Sequence, residues 1–224
     1  MGNNTSEEEL FGFSLFNVLS DTERKELWKS CRCTDRMKGD FLFSENPNPD
    51  FIYFVIDGMV LQGCSLNSKN MINGIVGAGQ ICYVGSIAGN SSKSSFAVVR
   101  SSKARVVSIP KSLMMSFTRV NVRFQEKIMD QAFDYIKQLE HFLMIASLPS
   151  RNRVVEILKL LALNHGRYAS GEVVLKGKFS HVFLAEVGNT ARQSVTQVMN
   201  QLKEEDQICY DRNEILIRNL ETLS

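Results

Sequence analysis

The amino-acid sequence predicts an α+β protein with an N-terminal antiparallel β-roll, a long helix and a C-terminal winged helix-turn-helix. Three observations predict this class. Short strand-forming runs separated by turn formers fill the region from residue 36 to residue 110. Residues 120–148 contain neither proline nor glycine and repeat apolar side chains at helical spacing. Two short helical segments, followed by two strand-forming runs, occupy residues 180–217.

The first segment, residues 1–119, is predicted to be a single domain dominated by strands. Its strand-forming runs are aromatic or β-branched, and they cover residues 41–43, 51–56, 59–61, 72–76 and 106–109. Turn formers such as Asp57-Gly58 and Asn73-Gly74 separate them. Many short strands at close spacing indicate an antiparallel sandwich or barrel. Ahead of them we expect a lightly packed lead-in at residues 6–10 and a short helix from Asp21 to Trp28.

The second segment, residues 120–148, is predicted to be one long dimerisation helix. Apolar residues alternate in steps of four and three, which is the 3.5-residue repeat of a coiled-coil seam. The seam consists of Phe124, Ile128, Ala132, Tyr135, Leu139, Phe142 and Ala146. A second apolar face contains Met129, Phe133, Ile136 and Leu143. A helix that is apolar on two sides needs two neighbours, here the β-roll and a second copy of the chain. Burial within a monomer is the alternative.

The third segment, residues 149–224, is predicted to be the winged helix-turn-helix, because Pro149 ends the long helix. Ser180 is expected to cap one short helix, and Thr190 is expected to cap the next. Gly188-Asn189 separates these helices with two residues that tolerate positive φ. In the second helix, one buried stripe is predicted from Val195, Val198, Met199 and Leu202.

The opposite face of that second helix carries hydrogen-bonding side chains and no acid, which suits the DNA major groove. The predicted DNA contacts are Thr190, Arg192, Gln193, Ser194, Thr196, Gln197 and Asn200. Arg192 can bond both O6 and N7 of a guanine. Ser194 and Asn200 are expected to contact phosphates, which position a helix without reading sequence. An ordinary helical hairpin with a solvated polar face is the alternative.

Two sets of residues resemble the cyclic-AMP receptor protein/FNR (CRP/FNR) family of bacterial transcription regulators. One is the run from Leu184 to Leu202, followed by strand-forming runs around Asp211-Arg212-Asn213. The other is the order of Lys38-Gly39-Asp40, Asp57-Gly58, Gly77-x-Gly79-Gln80 and Ile109-Pro110. The resemblance implies a cyclic-nucleotide-binding-like β-roll that acts as a sensor. It also implies a cytoplasmic homodimer that binds pseudo-palindromic double-stranded promoter DNA and contacts RNA polymerase, with a hinge at the junction of residues 148 and 149.

The chain departs from the family at several positions. Asn189 stands where the family usually has glycine. Gln193 and Gln197 stand where the cyclic-AMP receptor protein has an acid and a second arginine. Glutamine can bond N6 and N7 of adenine. We therefore expect a half-site that keeps one guanine for Arg192 and is richer in A·T than the site of the cyclic-AMP receptor protein.

The sensor lacks the pattern of the cyclic-AMP-binding members. Those members follow the glycine turn with a Gly-Glu pair, and an arginine some ten residues later binds the cyclic phosphate. No acid follows Gly79-Gln80, and Ser94 stands at the arginine position beside Lys93. The effector is therefore expected to be something other than cyclic AMP, or absent. The backbone N–H groups of the segment from Gly85 to Ser95 could hold an anion, with a charge from Lys93, and Cys64 or Cys82 could act as a thiol switch.

Composition excludes several other classes. The net charge of only +2 gives no global basic field, so DNA affinity must come from local clustering. A cupin-type enzyme would need histidines on its barrel strands, but all three histidines follow the β-rich region. We predict no enzyme activity, no metal and no cofactor, although haem bound through His141 stays open. No apolar run is long enough to cross a membrane. The main alternative is an interaction module whose winged helix contacts protein.

Overall fold

The computed structural model describes residues 3–43, 50–67, 69–88, 95–177 and 179–224, and it has the predicted α+β class. The α-helices are α1 (Asn3–Gly12), α2 (Asp21–Ser30), α3 (Lys111–Val120), α4 (Val122–Ser147), α5 (Ser150–His165), α6 (His181–Val187) and α7 (Arg192–Glu204). The strands are β1 (Arg32–Met37), β2 (Phe41–Phe43), β3 (Phe51–Asp57), β4 (Val60–Leu66), β5 (Lys69–Val76), β6 (Ile81–Cys82), β7 (Ser95–Val99), β8 (Lys103–Pro110), β9 (Arg167–Ala169), β10 (Glu172–Lys176), β11 (Ile208–Tyr210) and β12 (Glu214–Ile217). A 3-10 helix covers Val84–Ala88. None of the helices described is long and apolar enough to span a bilayer.

The chain divides into two compact units, Met1–Leu139 and Glu140–Ser224. The N-terminal unit holds two antiparallel four-stranded sheets, with strand orders β1-β8-β3-β6 and β2-β7-β4-β5. The C-terminal unit holds a third sheet, of order β11-β12-β10-β9. The division falls inside α4, ahead of the boundary that the sequence placed after residue 148.

Strand β3 shows how period-two alternation builds the β-roll. Ile52, Phe54 and Ile56 point to one side and pack with the helices of the N-terminal unit, in what we call the outer core. Tyr53 and Val55 point to the other side and pack between the two sheets, in the inner core. A run of apolar residues on both faces therefore forms one strand between two cores.

The N-terminal residues are more firmly packed than the sequence suggested. Residues 3–12 form helix α1, and Leu10 is fully buried in the outer core, so the expected lightly packed lead-in is wrong. The short helix after it is confirmed as α2. Its capping box is formed by Ser20, whose hydroxyl accepts from Glu23 N, and by the Glu23 carboxylate, which accepts from Ser20 N.

Two glutamines on α4 fix it to the β-roll by hydrogen bonds. Gln131 Oε1 accepts from Ile81 N at 3.1 Å, and its Nε2 donates to Gly79 O at 3.0 Å. Seven residues on, Gln138 Oε1 accepts from Ile75 N at 3.1 Å and its Nε2 donates to Ile75 O at 3.0 Å. Because β5 is at the edge of its sheet, the Gln138 amide satisfies backbone groups that no further strand covers.

Part of the predicted dimer seam on α4 packs within the chain itself. Phe124 is fully buried in the outer core together with Ile128, and Ala132 and Tyr135 pack against it. Phe142 is also buried. Of these five, Phe124, Ile128 and Phe142 are buried within the chain, while Ala132 and Tyr135 are half-buried. The assignment of the seam to a contact with a second copy stays a prediction. Of the remaining two seam residues, Leu139 is half-buried and Ala146 is exposed.

The second apolar face of α4 is instead the one that solvent reaches. We call it the exposed α4 face, and it consists of Met129, Phe133, Ile136, Leu143 and Met144, which are between 48% and 71% exposed. Met129, Phe133 and Ile136 follow one another in steps of four and three, as in a coiled-coil seam. Apolar spacing thus predicted both faces, and the structure shows which of them solvent reaches.

Candidate nucleic-acid interface

Helices α6 and α7 and the turn between them form the helix-turn-helix. The Ser180 hydroxyl accepts from Phe183 N at 3.2 Å and caps α6, as the sequence predicted. Asn189 has φ 47°, the left-handed conformation expected at this turn. A Cβ on Gly188 would lie 3.0 Å from the Leu184 carbonyl oxygen, so glycine permits the close approach.

The start of α7 differs in one detail from the prediction. Ala191 occupies the N-cap position, and no side chain caps the helix there. Thr190 precedes it and uses its backbone N–H to bond Ala185 O at 2.9 Å. Thr190 is therefore part of the turn, and its predicted role as the cap is wrong.

One side of α7 is buried and the opposite side is open. Val195, Val198, Met199 and Leu202 are all buried, which confirms the predicted stripe. The exposed residues of the polar face are Arg192, Gln193, Gln197 and Asn200, while Ser194 and Thr196 are half-buried. The burial of the stripe fixes the rotation of α7, so the polar side chains point away from the core.

A histidine that the sequence did not single out bonds to this polar face from α6. His181 Nδ1 lies 2.9 Å from Thr196 Oγ1, and the Thr196 hydroxyl donates to Arg192 O at 3.0 Å. Because the hydroxyl proton is directed at that carbonyl, the Thr196 oxygen accepts from the protonated Nδ1 of His181. Thr196 is thus held between α6 and the first turn of α7.

The wing holds the other end of the same face. Tyr210, on β11, donates its hydroxyl to Asn200 Oδ1 at 2.9 Å. Its ring centroid lies 5.5 Å from that of His181 and 5.7 Å from Lys203 Nζ. The wing turn itself is fixed by Asp211, whose Oδ1 accepts from Asn213 N and Glu214 N. The hairpin and its turn match the prediction from sequence.

The side chains of Arg192, Gln193, Ser194 and Gln197 make no hydrogen bond or ion pair with any described residue. Their donors and acceptors are available to an external partner. Thr196 and Asn200, by contrast, already use polar atoms within the protein. The predicted contact residues therefore lie close together, but only some of their side chains are free of hydrogen bonds within the protein.

Arg153 of α5 ties the helix-turn-helix to the end of the long helix. Its guanidinium donates to Gly188 O at 3.4 Å and to Asn189 O at 3.0 Å, within the turn. It also donates to Ala146 O at 3.1 Å and to Leu148 O at 3.0 Å, where α4 ends. One planar, always-charged group thus satisfies four carbonyls from two segments, which lysine could not do. These contacts join residues far apart in sequence, so no local pattern predicted them.

Two histidines of the C-terminal unit, His165 and His181, are expected to make its stability depend on pH. Burial lowers the pKa of His165, and burial together with the positive charge of Arg192 lowers the pKa of His181. Unfolded histidines titrate near ~6.5, so below that pH the unfolded chain binds more protons than the folded chain. The free energy of unfolding is therefore expected to fall as the pH drops from 7.5 to 5.5, measured by urea titration. Replacing both histidines with glutamine should reduce this fall, and an imidazole NMR titration at or above ~6.5 in the native protein would contradict it.

Of the four candidate effector residues, the structure describes the two cysteines. Cys82 is buried in the inner core, where burial raises the pKa of its thiol to about 12, so the proposed thiolate switch at this position is wrong. Cys64 is half-buried on β4. Lys93 and Ser94 lie outside the described residues. Among the described residues, no group of three or more metal-ligating side chains is present.

The comparisons with known proteins agree with this geometry. Residues 152–224 match the family model of the Crp-like helix-turn-helix domain. The C-terminal part of the chain is thus a Crp-like helix-turn-helix domain, and the chain has the fold of the CRP/FNR transcription regulators.

Three solved structures illustrate the likeness. A mutant of CooA from Carboxydothermus hydrogenoformans is 17% identical with a TM-score of 0.72, covering 87% of each chain. FixK2 from Bradyrhizobium japonicum is 15% identical with a TM-score of 0.73, covering 87% of this chain and 97% of its own. A CRP/FNR-family transcriptional regulator from Thermus thermophilus is 20% identical with a TM-score of 0.61, covering 86% of this chain and 96% of its own. At these identities the likeness establishes the fold. No curated protein matches the chain.

Proposed function

We propose that the protein is a homodimeric, sequence-specific DNA-binding transcription regulator in which α7 enters the major groove. The observation that carries this is the polar face of α7. It presents free side chains of Arg192, Gln193 and Gln197, while the opposite face is buried and α6 and the wing bond to the same helix. A helix fixed at both ends and free along one face has the geometry of a recognition helix.

Within this face we assign base contacts to the free side chains. Arg192 pairs with a guanine, and Gln193 and Gln197 face adenines or other A·T edges. Ser194 contacts a phosphate. Thr196 and Asn200 are proposed to position α7, because His181 and Tyr210 already bond to their side chains. The Asn200 amide nitrogen remains for a phosphate, as does the hydroxyl of Thr190, whose backbone N–H is already bonded to Ala185 O.

The exposed α4 face is proposed as the surface that pairs with a second copy. A run of large apolar side chains along one helix is costly to leave in water, and a parallel helix of the same sequence offers a matching run. A two-fold dimer would place two copies of α7 on half-sites roughly 34 Å apart. RNA polymerase is a further proposed partner, and binding to promoter DNA implies a cytoplasmic protein.

Control of the regulator is proposed to come from an effector other than cyclic AMP, or from no small molecule. Gln80, which stands ahead of the position of the family's acid, uses its side-chain oxygen within its own turn, where it accepts from Gly77 N at 2.8 Å. The contact between α4 and the β-roll is made by the side chains of Gln131 and Gln138, which accept from Ile81 N and Ile75 N. Both observations support a sensor domain that is not built for a cyclic phosphate.

Salt dependence tests DNA binding against the rival role of the winged helix as a protein-binding module. A protein that neutralises several phosphates releases counterions, so log K falls linearly with log salt. With six to ten phosphate contacts, affinity for a promoter fragment is expected to drop about 10³–10⁵-fold between 50 and 200 mM salt. Fluorescence anisotropy of labelled DNA measures this. A flat profile would favour the protein-binding module.

A further inference from the structure

His181 is the first residue of α6, and its ring lies against the polar face of α7. Its Nδ1 is 2.9 Å from Thr196 Oγ1, and its ring centroid is 5.5 Å from that of Tyr210 on the wing. Both Thr196 and the nearby Arg192 belong to the face that is proposed to meet DNA. The imidazole therefore lies where α6, the wing and the proposed recognition helix come together.

One nitrogen of this ring is uncommitted. The Thr196 hydroxyl donates to Arg192 O, so Nδ1 of His181 holds the proton of the neutral ring. Nε2 makes no hydrogen bond with any described residue. Around the ring, the described charged or titratable groups are Arg192 on α7 and Tyr210 on the wing, with Lys203 of α7 over the Tyr210 ring at 5.7 Å. No carboxylate bonds to the ring in the described part of the chain, so a counter-charge for a protonated ring has to come from a partner.

We propose that His181 takes up a proton from solvent when DNA binds, so that Nε2 donates to a backbone phosphate while Nδ1 keeps its bond to Thr196. In helix-turn-helix proteins the first helix crosses the phosphate backbone while the second enters the groove, and His181 begins the first helix. A protonated imidazole on a phosphate forms a charge-assisted hydrogen bond and releases a counterion. This inference rests on the proposed function and adds to it a phosphate contact that depends on pH.

Affinity for DNA is therefore expected to rise as the pH falls from 8.0 to 6.0. In the free protein, burial and the positive charge of Arg192 lower the pKa of His181, so its ring holds a proton less well than an unfolded histidine does. A phosphate beside Nε2 raises that pKa in the complex. The complex then binds more protons than its separated components, and by linkage a lower pH favours it.

The test is fluorescence anisotropy of the full-length protein with a labelled duplex that wild type enriches from a random pool, at pH 6.0 and 8.0 over a range of salt. Wild type should bind at least about tenfold more tightly at pH 6.0 at constant salt. Because each protonated His181 neutralises one further phosphate, the slope of log K against log salt should steepen by about 0.9 per chain at pH 6.0. Calorimetry in two buffers of different ionisation enthalpy should show net proton uptake on binding.

Two variants locate the proton. His181→Asn keeps an amide donor for Thr196 and removes the titrating ring, so it should match wild type within about twofold at pH 8.0 and lose the gain at pH 6.0. The matched control is His165→Gln, which replaces another half-buried histidine of the same unit, at the end of α5, and should keep the gain. Thermal unfolding at both pH values confirms that the proteins stay folded.

The outcomes separate this inference from the function on which it rests. Equal affinity of wild type at both pH values would overturn the proton-linked contact and leave DNA binding intact. A gain at pH 6.0 that persists in His181→Asn, or that disappears in His165→Gln, would also overturn it, because the proton is then taken up elsewhere. A random pool from which wild type enriches no duplex at either pH would overturn the proposed function and this inference together.

Discussion

Replacing Phe133 with glutamate is expected to convert the proposed dimer into monomers and to lower affinity for a full DNA site about 100-fold or more. Phe133 is 56% exposed at the middle of the exposed α4 face, with Met129 and Ile136 beside it. In the proposed dimer a glutamate there would be removed from water without a partner. A monomer engages only one half-site and loses the gain from linked binding. Sedimentation velocity and anisotropy measure the two effects.

Arg123→Glu is the matched control for this variant. Arg123 is exposed on the same helix, but ten residues at about 100° each place it roughly 80° around α4 from Phe133. It should leave the dimer intact. A Phe133→Glu protein that remains dimeric at micromolar concentration would show that the exposed α4 face is not the interface.

Replacing Arg153 with methionine is expected to destabilise the C-terminal unit by about 2–4 kcal/mol. Methionine keeps much of the apolar stem, while the carbonyls of Ala146, Leu148, Gly188 and Asn189 lose their donor. Hydrogen bonds to a charged donor contribute about 1.5–3 kcal/mol each, but these share one half-buried group and do not add. In a unit of this size, the midpoint of thermal unfolding should fall by about 8–32 °C.

Two further variants separate the causes of that loss. Arg153→Lys retains the charge, but a single ammonium cannot span both pairs of carbonyls, so it should recover less than half of the lost stability. Arg167→Met removes an exposed arginine on β9 whose side chain makes no described hydrogen bond or ion pair, and it should change stability by no more than about 0.5 kcal/mol. If Arg153→Met and Arg167→Met have the same midpoint of thermal unfolding, the hydrogen bonds of Arg153 contribute nothing to stability.

The elements that alternate regularly could be predicted from the sequence. The stripe on α7 and the strands β3 and β8 follow from apolar spacing alone, because each has a buried face. Strand β1 could not be predicted in this way. Its sequence is polar, it lies at a sheet edge, and ion pairs from Asp35 to Lys103 and Arg105 accompany its pairing with β8.

The apolar spacing along α4 does not identify which partner packs on each face. Both faces of the helix are apolar, and a repeat of 3.5 residues marks a packed face without saying what packs on it. Only the positions of Phe124 and Ile128 against the β-roll show which face is internal. Likewise, the roles of Thr196 and Asn200 depend on His181 and Tyr210, which approach from other elements. Spacing along one helix does not contain that information.

The most direct measurement of sequence-specific recognition is the selection of bound sequences from a random DNA pool, with wild type and with Arg192→Ala. Wild type is expected to enrich a pseudo-palindrome of two half-sites about one helical turn apart, each with one guanine and A·T-rich flanks. Arg192→Ala should lose the preference for that guanine and about 1–3 kcal/mol of discrimination, while its affinity for random DNA changes little. An unenriched wild-type pool, or equal loss by Arg192→Ala on every sequence, would contradict recognition by α7.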